Sequence, residues 1–222
     1  MFPFKRLTIL CGHYGSGKTN VAVGIATELA KSRGNVTVAD LDIVNPYFRT
    51  KDSAAYFEEQ GIRLICSAYA NSNVDIPALP QEMYAITDDR SMTAVLDIGG
   101  DDRGALVLGR LAPKILAEGD YEMLMVINGY RPLTRDAAST LEVMREIEFA
   151  GGIRFTGLIN NSNLGALTTA EDILVSVAYA EEVSRLSGLP VVMTSVRGDL
   201  AAAVEGKIPH VFPLTLQKNK FL

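Results

Sequence analysis

At 222 residues the chain has the length of one α/β domain, and 48% hydrophobic residues suffice to bury a core without disulfide or metal staples. A formal net charge of −5 and the lack of a long basic run exclude a strong non-specific nucleic-acid surface. Two cysteines, Cys11 and Cys66, cannot build a disulfide framework, no leader-like apolar region opens the chain, and no stretch reaches bilayer-spanning length, so one cytoplasmic domain over residues 1–222 is expected.

Residues 7–11 read as a buried strand. They lead into Gly12-His13-Tyr14-Gly15-Ser16-Gly17-Lys18-Thr19, which satisfies the phosphate-binding pattern G-x-x-x-x-G-K-[ST] at every fixed position. Glycines let successive backbone N–H groups turn toward phosphate oxygens without Cβ clashes. Lys18 is expected to reach the β- and γ-phosphates and the Thr19 hydroxyl to hold Mg²⁺, with the rest of the string and Asn20 around the nucleotide. Val21, Ile25 and Leu29 recur at i, i+4 and i+8, so the loop opens a helix whose N-terminus faces the phosphates.

Gly34 is the expected helix stop before a strand over residues 36–39 that ends in Asp40-Leu41-Asp42. Asn45-Pro46 marks a loop over 43–49, residues 50–60 read as a helix closed by Gly61, and 62–66 as a third strand. Residues 67–80 show no period and read as a lid-type loop. An apolar run over 92–96 ends in Asp97-Ile98-Gly99-Gly100, ahead of a helix over about 103–116. A strand over 123–127 precedes a helix with Thr134 as N-cap and Leu141, Met144 and Ile147 inward. Residues 155–159 form the next strand, ending at Asn160-Asn161-Ser162-Asn163. A capping box of Thr168 and Glu171 then opens a helix to 187, and 191–193 is the last central strand. A short helix near 200–204 and an edge strand near 210–214 complete the chain.

Continuous apolar strands alternating with helices indicate a three-layer P-loop NTPase fold of the α/β class, with a mostly parallel central sheet and helices on both faces. Ligands in such sheets bind outside the carboxyl ends of the strands, where every polar cluster above falls. Asp97 has the placement of a Walker B carboxylate that holds Mg²⁺ directly or through water. Gly99-Gly100 would let the Gly100 N–H approach the γ-phosphate and move when it leaves. Asp40 and Asp42, two apart on a strand, project to one side; one could orient water while the other supports the metal shell. Arg49, Arg103, Arg110 and Arg131 are candidate transition-state cations that sequence does not rank. Neither His13 nor His210 has metal-ligand spacing.

These residues resemble the MinD/ParA/CobQ-type nucleotide-binding domain family, which also includes the nitrogenase iron protein and dethiobiotin synthetase. Residues 12–19 look like its Walker A, Asp40-Leu41-Asp42 is similar to its D-x-D, and Asp97-Ile98-Gly99-Gly100 to its Walker B and switch II. The resemblance implies that Asp42 positions the hydrolytic water, that Asp40 and Asp97 serve the Mg²⁺ shell, and that Asn161 reads adenine, with Asn160 as the fallback. It also places Thr194 to Arg197 near the base. Many members form an ATP-dependent homodimer through a lysine early in the loop; that position is His13 here, followed by Tyr14, and a mostly neutral histidine does not replace a permanent cation. The string from Asp40 to Arg49 is similar to ParA-like ATP-binding proteins of bacteria and archaea. No glutamate follows Asp97, as AAA-type ATPases require, and no N-K-x-D turn for guanine is present.

The expected function is therefore an ATP/Mg²⁺-dependent switch and slow ATPase acting on an unidentified protein partner, with a homodimer as a further partner and no strong nucleic-acid or membrane signal. The alternative is a kinase or synthetase that passes the γ-phosphoryl to a small acceptor, and a third reading is a nucleotide-binding module that does not hydrolyse.

Overall fold

Strand β1 (Leu7–Cys11) is buried along its whole length, and its side chains alternate between two cores. Leu7, Ile9 and Cys11 enter one, Leu10 the other. This is the position of a central strand, and the computed structural model places it there. The structure describes residues 2–41, 51–66, 81–99 and 102–215. Asp42, Gly100, Arg49 and the loops over 43–49 and 67–80 lie outside the described residues, as does the Arg103 side chain.

Among the described residues one sheet contains β1, β2 (Val36–Leu41), β3 (Arg63–Cys66), β4 (Thr93–Ile98), β5 (Tyr121–Ile127), β6 (Gly157–Asn160), β7 (Val191–Arg197) and β8 (Val211–Leu214). The order is β3-β2-β4-β1-β5-β6-β7-β8, and every pairing is parallel. The chain leaves β1 toward one side and crosses back after β4 to the other, so the switch point of the sheet lies at the carboxyl end of β1.

Helices α1 (Lys18–Ala30) and α2 (Lys51–Glu59) supply one face, with Val21, Ile25, Leu29 and Phe57 buried together. The opposite face is covered by α3 (Gln81–Asp88), α4 (Asp102–Glu118), α5 (Ala137–Gly151) and α6 (Ala170–Ser187), through residues such as Met83, Leu108, Leu111, Met144 and Val183. Leu141 and Ile147 are half-buried against this core. A short α7 (Ala201–Val204) packs on α6 through Val204 and Ile173.

Several boundaries differ from the sequence reading, each for a local reason. Helix α3 was not anticipated, because a short helix after an aperiodic stretch leaves little pattern to read. Helix α5 is capped by Asp136, whose carboxylate accepts from Ser139 N at 2.9 Å; Thr134 is buried in a 3₁₀ turn over Pro132–Thr134 and donates its hydroxyl to Asn128 O. The capping box of α6 is Thr169 with Asp172, one residue later than Thr168 with Glu171. The Thr168 hydroxyl is held by Gly165 O and Leu164 N. Helix α1 ends at Ala30 with Lys31 as its C-cap, and it is Asn35 rather than Gly34 that takes the left-handed conformation, at φ 55°.

Candidate nucleotide-binding site

The loop from β1 to α1 needs glycine at two points. At Gly12, φ is +150° and a Cβ would lie 2.4 Å from Val126 O on the neighbouring strand. At Gly17, φ is +89° and a Cβ would lie 2.2 Å from Asn161 Nδ2. The loop is therefore pressed between β5 and the turn after β6, a conformation no larger residue fits. Gly17 caps α1 with no side-chain hydrogen bond, and no acidic residue lies in the first turn. Helices α5 and α6 cap themselves with carboxylates and hydroxyls, whereas the first N–H groups of α1 have no such partner and suit an anion.

Lys18 is buried, and its ammonium donates to Gly12 O at 3.1 Å and His13 O at 3.4 Å, folded back over the loop's own carbonyls. Thr19 Oγ1 donates to Asp97 Oδ2 at 2.6 Å, joining the loop to the end of β4. Asp97 pairs laterally with Asp40 across β4 and β2, and the two are 1% and 3% exposed. Carboxylates withdrawn from water are costly unless cations face them. The donor set of a hydroxyl and two carboxylates suits a hard divalent ion such as Mg²⁺. Among the described residues no group of three His, Cys, Asp or Glu side chains forms a metal site of its own. Burial pushes the Cys11 thiol far up, against the pull of Lys18, so this cysteine is an inert core group.

His13 is half-buried and its Nδ1–H donates to Tyr14 O at 2.9 Å, while Tyr14 projects into solvent. Beside the loop lies a cavity of about 240 Å³ lined by Gly15, Gly17, Asn20, Asn161, Ser195 and Arg197, among others. Asn161 lines it, but its amide is engaged: Nδ2 donates to Ser16 O at 2.6 Å and Oδ1 accepts from Ser195 Oγ at 2.7 Å. Asn160 is fully buried, bonded to Ser176 Oγ and Ser162 N. Thr194 is buried outside the lining, its N–H on His210 O, and the β7 residues that reach the cavity are Ser195, Val196 and Arg197. The sequence reading thus places the stretch Thr194 to Arg197 near the base but names Thr194 as its site residue, where Ser195 is the one that bonds Asn161; the alternation of faces along β7 is the signal that separates the two. Of the four arginines named from the sequence, Arg131 lies at the loop, its Nε donating to Gly15 O at 2.9 Å. Arg110 is exposed on α4. A Cβ on Gly104, in the first turn of α4, would lie 2.6 Å from Gly99 O, so this helix starts directly against the backbone that leaves Asp97.

Neither a scan of protein-family models nor a search of curated proteins gives a match. Among solved structures, the chain is similar to cell division protein FtsY of Thermotoga maritima, at 19% identity and TM-score 0.58, over 87% of this chain and 63% of that one. It is similar to FtsY of Mycoplasma mycoides at 17% identity and TM-score 0.56, over 88% and 62%. The 54 kDa signal recognition particle protein of Aeropyrum pernix K1, in complex with GDP, matches at 15% identity and TM-score 0.51, over 87% and 41%. The chain thus spans about three fifths of the length of the FtsY chains it matches. These likenesses, with the all-parallel sheet and the loop at its switch point, define the fold as that of the P-loop NTPases. Among the described residues no helix is long and apolar enough to cross a membrane.

Proposed function

We propose that the chain binds Mg²⁺ and ATP and acts as a slow, MinD/ParA-like ATPase whose nucleotide state changes what it binds. The observation that carries this reading is the 2.6 Å bond from Thr19 Oγ1 to Asp97 Oδ2, which brings together two motif residues 78 positions apart. The phosphates would lie on the N–H groups of the loop and of the first turn of α1, with Lys18 moving from the carbonyls of Gly12 and His13 to phosphate oxygens. Thr19, Asp97 and Asp40 would hold Mg²⁺, which when bound neutralises charge on the β- and γ-phosphates. Asp42 orients the attacking water and Gly100 senses the γ-phosphate in this reading, on the strength of their motif positions alone.

In this reading the base takes the side of the cavity lined by Asn161 and Ser195, and the side lined by Gly15 and Arg131 is left to the phosphates. Among the described residues the cavity lining contains no carboxylate, so the N1–H and amino group of guanine would find no charged acceptor among them, whereas adenine, which needs an acceptor for one amino group and a donor for N1, can be served by amides and hydroxyls. Calorimetric titration with ATP, ADP and GTP, with Mg²⁺ or EDTA and with light scattering to follow mass, tests the proposal. ATP should bind more tightly than GTP, and Lys18→Ala should weaken ATP by about 2 kcal/mol, roughly 30-fold. Tighter binding of GTP would overturn the adenine assignment, and no nucleotide binding would overturn the whole reading.

A further inference from the structure

The residues that follow β5 hold one arginine against the phosphate loop. Arg131 Nε donates to Gly15 O at 2.9 Å, and a Cβ on Gly15 would meet Arg131 Nε at 3.6 Å and Cζ at 4.0 Å. The backbone that carries Arg131 is fixed on both sides. Its own N–H donates to Asn128 O and its carbonyl accepts from Thr134 N, while Asn128, fully buried, accepts from Tyr130 N and Asn163 N. Pro132 follows directly and restricts the chain further. The guanidinium is thus delivered to the cavity wall by a preorganised turn.

Its terminal nitrogens are unspent. Nη1 and Nη2 of Arg131 make no hydrogen bond or ion pair among the described residues. Arg197 on the same cavity, by contrast, gives Nε and Nη2 to Asp199 and Nη1 to Gly165 O and Ala166 O. Four N–H donors and a permanent charge therefore belong to the lining of a cavity that holds no carboxylate among the described residues. Within residues 12–19 Lys18 is the one lysine or arginine.

We infer that Arg131 is a phosphate-contacting residue of this site, its guanidinium fork taking non-bridging oxygens of the bound nucleotide from the chain's own β5 loop. The inference rests on the nucleotide-binding reading above and adds to it the second permanent cation of the phosphate site. The Nε bond to Gly15 O then serves to aim the fork.

Arg131→Gln separates the two roles, because the glutamine amide nitrogen falls at the place along the side chain that Nε occupies and can keep the bond to Gly15 O. Titration of the full chain with AMP, ADP and ATP in the presence of Mg²⁺ should show about a tenfold loss for ATP, less for ADP and least for AMP, with a shallower salt dependence than wild type and an unchanged apo melting temperature. Arg131→Lys should recover part of the ATP affinity. Wild-type affinity for ATP in Arg131→Gln, or an equal loss for all three nucleotides, would overturn the inference while leaving the proposed function intact. Failure of the wild-type chain to bind any nucleotide would overturn both.

Discussion

Replacing Gly12 by alanine tests how firmly β5 fixes the start of the phosphate loop. The new Cβ would lie 2.4 Å from Val126 O, 3.3 Å from Val126 C and 3.2 Å from Ser16 Oγ, at a φ of +150°. The closest of these falls roughly 1 Å short of van der Waals contact. Val126 has nowhere to retreat, because β5 is paired on one edge to β1, with Cys11 opposite Met125, and on the other to β6, with Val126 opposite Ile159. Overpacking against a held strand costs about 2 kcal/mol, and a backbone conformation that only glycine adopts easily costs a similar amount. The sum is roughly 4 kcal/mol, which for a chain of this length lowers the melting temperature by about 8–16 °C. Differential scanning calorimetry of the ligand-free protein measures this, with Gly34→Ala as the companion, where a Cβ meets nothing within 4 Å and no shift beyond about 2 °C is expected. A Gly12→Ala protein that melts within about 3 °C of wild type would refute the claim that β5 sets the loop's take-off.

Two further predictions concern the opposite end of the sheet. The Arg6 guanidinium pairs with the Glu118 carboxylate and also donates to Ile86 O and Met92 O, with both charged side chains under a tenth exposed. Glu118→Gln leaves that guanidinium buried without its counter-charge and should cost roughly 3 kcal/mol in a urea titration, whereas Arg6→Met with Glu118→Leu should cost less than the single change. An additive double variant would show that the pair is not coupled. Burial pushes the Glu122 carboxyl above its usual range, against the pull of hydrogen bonds from Lys5 N and Thr8 Oγ1. A raised folded-state pKa means the folded chain holds the proton longer, so wild-type stability falls as pH rises from the ordinary value of 4.5 through the raised one. Glu122→Gln keeps the accepting oxygen without the charge, so its stability relative to wild type should be higher at pH 7 than at pH 4; equal urea midpoint differences at the two pH values would contradict this.

The first strand, the phosphate loop and α1 were legible because three independent patterns coincide within residues 7–29: an apolar run, a glycine-lysine string and a 3.6-residue period. Asp97 was legible for the same reason, as a charge closing an apolar strand. What failed was choice between neighbours of similar chemistry. Thr168 and Thr169, each with an acid three residues on, are equivalent caps on paper, and only the pull of Gly165 O and Leu164 N on the first leaves the second to cap α6. Asn160 and Asn161 are likewise indistinguishable until the strand ends and one turns toward Ser176 while the other turns toward Ser16. Arg131 and Ser195 bond to loop residues 116 and 34 positions away, and a local period indicates at most the face a residue takes, not its partner. The order of the strands, with β4 inserted between β1 and β2, belongs to the same class of non-local information.

Strand β1 is bonded along both edges, Leu7 to Leu10 against β4 and Leu7 to Cys11 against β5, with every residue buried. Its amide hydrogens can meet solvent only when the sheet itself comes apart, so their exchange with deuterated water should report the free energy of global unfolding rather than any local opening. The phosphate loop is thus rooted in a strand whose amides should exchange only with global unfolding. A ligand can enter and leave at the rim many times for each occasion on which its anchor breathes, and a ligand that binds only the folded chain would slow exchange in β1 by the stability it adds to the whole.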